Sequence, residues 1–149
     1  MTLFETLKLV HILAAIVWVG GSLLATVYAL RARKGDQGHR IGLARDLHFL
    51  GNKVFAPASG VALIFGIWMV IERPTFAFGD TWIIIGLIGL AISGTIGGAF
   101  FGPKTKALVA RLEGGDAADS LMATITRVAL FDDLLLLIVV WAMVVKPGL

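Results

Sequence analysis

Four long apolar stretches constrain the fold of this chain more than any other feature. They cover residues about 6–31, 51–71, 81–102 and 126–146, with few formal charges inside them. A bilayer core of ~30 Å needs about 20 helical residues. Because lipid offers the backbone no hydrogen-bond partners, a segment that crosses it alone must be helical. The pattern predicts a single all-α transmembrane domain over residues 1–149, an integral membrane four-helix bundle.

Composition excludes several classes of protein. Hydrophobic residues make up 58% of the chain and charged residues 15%, whereas soluble domains have ~45–50% and ~25%. The chain contains no cysteine, which excludes disulfides, cysteine-ligated zinc and iron–sulfur clusters. No phosphate-binding glycine loop or paired-histidine metal motif is present. A role other than that of an enzyme is therefore favoured.

The positive charges indicate how the spans are oriented. Of the 13 Lys and Arg residues, ten lie in or beside the loops after the first and third stretches: Arg31, Arg33, Lys34, Arg40, Arg45, Lys53, Lys104, Lys106, Arg111 and Arg127. Short cytoplasmic loops are enriched in such residues. We therefore expect both termini on the non-cytoplasmic side (N-out/C-out). The same rule accounts for the net charge of +3, so the expected partner is the lipid bilayer and not nucleic acid.

His11 is the first ionisable residue at membrane depth, where such residues are costly and mark candidate sites. His39 and His48 are predicted near the opposite face of the membrane, so neither can share a metal with His11. Met69 and Met143 are predicted at the depth of His11. A His/Met set is able to ligate haem iron or copper. Alternatively, His11 forms a hydrogen bond to a neighbouring helix.

A second polar cluster is predicted at the cytoplasmic ends of the second and fourth spans. Its members are His48, Asn52, Lys53, Arg127, Asp132 and Asp133. Arg127 projects from a different side of its helix than either aspartate. Asn52 and Lys53 lie at a similar depth and are the better partners for the aspartates. The cluster is either a buried ion pair that fixes how the two spans pack, or a site that handles protons or ions.

Glycines in the third stretch predict close helix packing. Gly94, Gly98 and Gly102 repeat at four-residue spacing, and Gly86 and Gly89 precede them. Small residues let helix backbones approach each other in lipid. We expect these glycines to pack inside the bundle, with a homodimer face as the alternative.

The connections between the spans also carry helical patterns. Residues 38–50 mix apolar and polar side chains, and they either extend the second span inward or lie on the membrane surface. Residues 107–126 are predicted to form a short helix, a break at Gly114 and Gly115, and a run into the fourth span.

The sequence LKLVHILAAIVWVGG at 7–21 resembles the first helix of a bacterial four-helix family, domain of unknown function 2269. Its core is His11, then Trp18 seven residues later, then Gly20 and Gly21. Further likenesses follow in order: the basic loop, VFAPA at 54–58, FGDTW at 78–82 and GPK at 102–104. The resemblance covers nearly the whole chain. It implies a multi-pass protein of the bacterial cytoplasmic (inner) membrane, and it brings no established activity.

The His11/Trp18 spacing is also similar to the copper-resistance D-type domain and, less closely, to J-type protoporphyrinogen oxidase. The first resemblance implies copper handling. Met69 and Met143, near the outer ends of their spans, are the methionines available as copper ligands. The second implies haem b at His11. The oxidase pattern includes a Lys in a later helix, in a Leu-Lys context, and the third span has none.

Four functional hypotheses follow from these patterns. The leading one is a small membrane protein of undefined role, as an accessory or transport-related component. The alternatives are a haem-b redox protein using His11, a copper-handling protein, and a proton- or ion-coupled transporter subunit using Asp132 and Asp133. Because four spans enclose little space, a transport path implies a homodimer or a larger membrane complex.

Overall fold

The computed structural model describes residues 1–148, and within them the chain folds into four long helices. Helix α1 spans Leu3–Ala32, α2 Gln37–Glu72, α3 Thr81–Glu113 and α4 Asp119–Val145. Each helix is long and apolar enough to cross a membrane. The predicted all-α four-helix bundle is therefore confirmed.

Local capping chemistry explains where the first two helices begin. The Thr2 hydroxyl accepts the Glu5 N–H at 3.3 Å, and the Glu5 carboxylate accepts the Thr2 N–H at 2.7 Å. This reciprocal arrangement satisfies two N–H groups that lack helical partners. At the start of α2, the Asp36 carboxylate accepts the His39 N–H at 2.8 Å.

The helices are arranged in the order α2, α1, α4, α3 around the bundle. Leu3–Ala15 packs along Ala56–Glu72, and Gly21–Ala32 packs against α4. Thr81–Thr95 of α3 packs along the other side of α4. We call the end that carries residues 1–3 and 146–148 the terminal end, and the opposite end, with the two basic loops, the basic end.

At the basic end, α2 and α3 extend beyond the apolar stretches and pack on each other. Residues 38–50 extend the second span as helix, and Gln37–Leu50 lies against Gly102–Glu113. Ion pairs join Arg40 to Asp119 and, at 2.6 Å, Arg45 to Glu113. The buried residues here are Ala32, Ala44, Leu108, Leu112, Ala118, Met122 and Ile125.

The connection between α3 and α4 breaks where the sequence predicts. Helix α3 ends at Glu113, and Gly115 has a φ of 76°, which favours glycine. Helix α4 then begins at Asp119.

A smaller apolar cluster closes the terminal end. It contains the buried residues Val70, Trp82, Ile83 and Ala142. The Phe76 ring meets Trp82 edge-on at a centroid distance of 5.1 Å, and the Lys146 ammonium lies 5.2 Å from the Trp82 ring centroid. This cation–π contact holds the end of α4 against the start of α3.

Glycine allows α3 and α4 to approach each other closely at only some of the predicted positions. A Cβ atom added at Gly86 or Gly89 would lie 2.2 Å from a side chain of α4. Gly94 and Gly98 are exposed, and a Cβ atom there would meet nothing within 4 Å. The packing prediction is therefore right for Gly86 and Gly89. It is wrong for Gly94 and Gly98, because their side of α3 faces a gap and not a helix.

Three segments in the described part of the chain are π-helical: Ile16–Gly20, Gly51–Phe55 and Ile96–Phe101. The last two are followed by Pro57 and Pro103. Proline has no N–H, and its ring clashes with the carbonyl four residues back. In both helices the N–H of the residue before the proline bonds the carbonyl five residues back. The wider turn relieves the clash and rotates the rest of each helix.

We expect Gly89→Ala to destabilise the fold by about 1–3 kcal/mol. The new Cβ would lie 2.2 Å from Cγ2 of Val139, a β-branched side chain with little freedom to move away. Thermal unfolding of the detergent-purified protein measures the change. Gly94→Ala is the matched control in the same helix and should melt like the wild type. Equal melting temperatures for the two variants would contradict this account of the α3–α4 contact.

Candidate functional site

A cavity of about 250 Å³ lies in the basic half of the bundle and is lined by side chains of all four helices. Trp18, Phe55 and Phe101 form much of its apolar wall. Each of these aromatic residues belongs to one of the three π-helical segments. The polar residues of the lining are Ser22, Thr26, His48, Asn52, Ser59, Ser93, Thr105, Thr126 and Asp132.

Two adjacent aspartates, Asp132 and Asp133, connect α4 to two different helices. The side chains of Asp132 and Asp133 are buried, at 4% and 5% exposure. Consecutive helical residues point about 100° apart, so each carboxylate meets its own neighbour. The Ser93 hydroxyl of α3 donates to Asp132 at 3.0 Å, and the Ser22 hydroxyl of α1 donates to Asp133 at 2.7 Å. The pair therefore ties α4 to both of its neighbours.

Asp132 has one carboxylate oxygen without a hydrogen-bond partner. Ser93 bonds Oδ2, whereas Oδ1 is buried and unbonded. Asp132 lines the cavity, and no Lys or Arg lies among the lining residues. A buried carboxylate without a compensating charge, and with one oxygen that receives no donor, is costly to bury. The geometry suits a proton or a cation held at Oδ1.

At the basic end of the cavity, His48 joins α2 to α3. The Thr105 hydroxyl donates to the Phe101 carbonyl at 2.7 Å, and its oxygen lies 2.9 Å from Nδ1 of His48. The Asn52 amide donates to the His48 carbonyl at 2.8 Å. Both residues line the same cavity as Asp132.

Lys53 and Arg127 do not join this cluster. Both side chains are exposed, and within residues 1–148 neither forms an ion pair with Asp132 or Asp133. The predicted ion pair between the second and fourth spans is therefore wrong. Serines of α1 and α3 take its place, because hydrogen bonds to neutral hydroxyls avoid the desolvation of a second charge.

His11 lies at the contact between α1 and α2. Its Nδ1 is 2.7 Å from the Ala62 carbonyl, which only accepts, so Nδ1 carries the proton. The ring lies against Gly66, where an added Cβ would be 3.0 Å from Cε1. This contact is the interhelical hydrogen bond that the sequence allows as the alternative to metal ligation.

The two methionines at the terminal end lie on different helices, Met69 on α2 and Met143 on α4. The Met143 methyl lies against Gly86, so its side chain fills the α3–α4 contact. Met69 is half-buried on α2. His11, by contrast, makes its described contacts with Ala62 and Gly66 of α2. A ligand set of His11 and both methionines stays a prediction.

A profile of known families matches residues 5–147, and its description is "Predicted integral membrane protein (DUF2269)". The chain belongs to this family. The match confirms the resemblance carried by His11, Trp18 and the later motifs, and it makes the DUF2269 chain a multi-pass protein of a lipid bilayer. The chain has no match among curated proteins or solved structures. Likeness to the copper-resistance and J-type oxidase proteins stays a prediction.

Sequence reasoning missed the two serines that hold the aspartates in this DUF2269 chain. A serine in an apolar helix is read as a small packing residue or as a hydrogen-bond donor, and composition does not distinguish the two. One usable signal exists in α1. Trp18, Ser22, Ala25, Thr26 and Ala29 recur at three- and four-residue spacing and all line the cavity, so they mark the inward face.

We expect the effects of His11→Ala and Gly66→Ala on stability to be less than additive. Gly66→Ala should destabilise the wild type because its Cβ presses on the His11 ring. His11→Ala should cost about 0.6–1.7 kcal/mol for the lost hydrogen bond and should also remove that clash. Melting temperatures of the two single variants and the double variant measure the coupling. Gly60→Ala, with nothing within 4 Å of its Cβ, is the control. Strict additivity would refute the packing role of His11.

Proposed function

We propose that this membrane protein is a transport-related component that binds and releases a proton or a small cation at Asp132. The observation that supports the proposal is the buried, unbonded Oδ1 atom of Asp132, a residue that lines a cavity in the bundle. Ionisable groups at membrane depth commonly mark ion or proton pathways.

Asp132 and Asp133 have different roles in this proposal. Asp133 does not line the cavity, and its carboxylate accepts from Ser22; its role is to hold α4 against α1. Asp132 accepts from Ser93 through one oxygen only, which leaves the other for a ligand. The serine hydroxyl keeps the carboxylate in one orientation, as a binding group requires.

The route to Asp132 begins at the basic end. His48 and Asn52 line that part of the cavity, and Asn52 is exposed at the surface. With ten of 13 Lys and Arg residues at this end, the positive-inside rule orients it toward the cytoplasm of a bacterial inner membrane. The site is then open to cytoplasmic protons and cations. A complete path across the bilayer would require a homodimer or a larger complex.

We expect Asp132→Asn to remove one component, that of a buried carboxyl group, from the pH- or cation-induced infrared difference spectrum of the reconstituted protein, while the other nine Asp and Glu side chains keep theirs. Asparagine keeps the shape of the side chain and the Ser93 hydrogen bond but has no titratable group. The same liposomes, loaded with a pH-sensitive dye, should lose any protein-dependent proton flux. Asp116→Asn makes the same substitution in the exposed loop before α4 and serves as the control. Circular dichroism verifies that both variants fold.

One result would overturn the proposal directly. If the pH- and cation-induced infrared difference spectra of the wild type and Asp132→Asn are the same, and no flux exceeds that of empty liposomes, Asp132 binds no exchangeable ion. Asp132 would then be a packing residue like Asp133.

Haem binding at His11 is a second candidate, favoured by one observation. Nδ1–H donates to the Ala62 carbonyl at 2.7 Å, which is how proteins commonly hold a ligating histidine with Nε2 free for the metal. An absorption spectrum of oxidised and dithionite-reduced protein tests it. A Soret band lost in His11→Ala would support haem, and metal analysis of the same sample tests copper.

A further inference from the structure

The cavity opens sideways, between α2 and α3. These two helices pack closely at the basic end, through Gln37–Leu50 and Gly102–Glu113. Ala56–Glu72 and Thr81–Thr95 make only sparse contact in the part of the chain that the structure describes. A gap therefore separates α2 from α3 within the spans.

Residues that are both exposed and part of the cavity lining mark the mouth of this opening. On α3 they are Gly94, Gly97 and Gly98, and on α2 they are Asn52 and Ala56. A Cβ atom at any of the three glycines would meet nothing within 4 Å, so the absence of side chains leaves the mouth clear. Asn52 marks the basic edge of this mouth, where the cavity meets water, and the other four residues lie within the apolar stretches, so the rest of the mouth faces lipid in the basic half of the bilayer.

The chemistry of the cavity defines what fits it. Its walls are largely apolar, with Trp18, Phe55 and Phe101 among them, and its lining includes Asp132, whose Oδ1 atom is buried and unbonded. A ligand with an apolar body and one positively charged donor would match both features. An anionic amphiphile would bring a second negative charge to Asp132, and no Lys or Arg lines the cavity to offset it.

We propose that the cavity binds a small amphipathic organic cation that arrives from the bilayer between α2 and α3, with its ammonium group on Asp132. The volume of about 250 Å³ lies below the ~300–1,000 Å³ of drug-sized pockets, so a short alkyl or aryl ammonium fits best. This inference rests on the proposed function, since it names the substrate class of the same carboxylate.

The charge requirement is tested by calorimetric titration of the full chain in nanodiscs. The probes are n-octylammonium, n-octanol and n-octanoate, which share one chain and differ in charge. After subtraction of partitioning into empty nanodiscs, only n-octylammonium should bind the wild type. Asp132→Asn should weaken that binding about ten- to hundredfold, as the loss of a charge-assisted hydrogen bond predicts. Asp133→Asn, next along the helix and outside the cavity lining, should retain it.

The lateral route is tested by closing the mouth. Gly97→Leu adds a branched side chain at the opening, where the structure has room for it, and should slow n-octylammonium association or abolish binding. Gly20→Leu is the matched control, because Gly20 is exposed, has nothing within 4 Å of its Cβ, and does not line the cavity. Binding that is unchanged in Gly97→Leu would overturn the lateral route.

The outcomes separate this inference from the function on which it rests. Equal binding of n-octanol and n-octylammonium, or n-octylammonium binding that survives Asp132→Asn, would overturn the amphipathic cation. If an Asp132-dependent infrared signal persists in that case, the proton or small-cation function stands. If the infrared signal is also absent, both fail. Binding of n-octylammonium that depends on Asp132 and on an open mouth supports the inference.

Discussion

Every backbone N–H within the hydrocarbon must find its partner inside its own helix, and this constraint governs the structure. It makes each span a helix, and it limits how a helix can deviate. Pro57 and Pro103 each remove an N–H inside a long helix. The chain responds with a π-helical turn before each proline, where the preceding N–H reaches one carbonyl further back. The series of backbone hydrogen bonds is thus kept, but the two helices are wider at the level of the cavity.

The low dielectric constant of the membrane interior also makes the two buried aspartates costly. Two adjacent carboxylates in one helix are difficult to bury, and here each receives a serine from a different neighbour. Asp133 contributes to packing of α1 and α4, whereas Oδ1 of Asp132 has no hydrogen-bond partner. A buried acceptor without a donor is destabilising, and this is the physical basis of the proposal that a proton or a cation binds at Asp132.

Much of the fold and part of the site could be predicted from the sequence. The apolar stretches, Gly114 and Gly115 locate the helices, and His11 with Trp18 leads to the correct family. Of the predicted cluster, His48, Asn52 and Asp132 line one cavity, and their role as a site stays a prediction. Lys53 and Arg127 do not line it, because depth along a helix does not specify the side to which a residue points. The π-helical turns worsen this problem, since each shifts the helical phase that face assignments assume.

Length, hydropathy and charge by themselves determine that this chain is a four-span membrane protein, because lipid permits no other structure for such stretches. They also identify Asp132 and Asp133 as exceptional, since carboxylates at that depth are costly wherever they point. Only the tertiary structure decided that Gly86 and Gly89 pack while Gly94 and Gly98 face a gap, and that serines hold the aspartates. Those outcomes depend on the rotation and separation of whole helices, which arise from contacts between residues far apart in the chain.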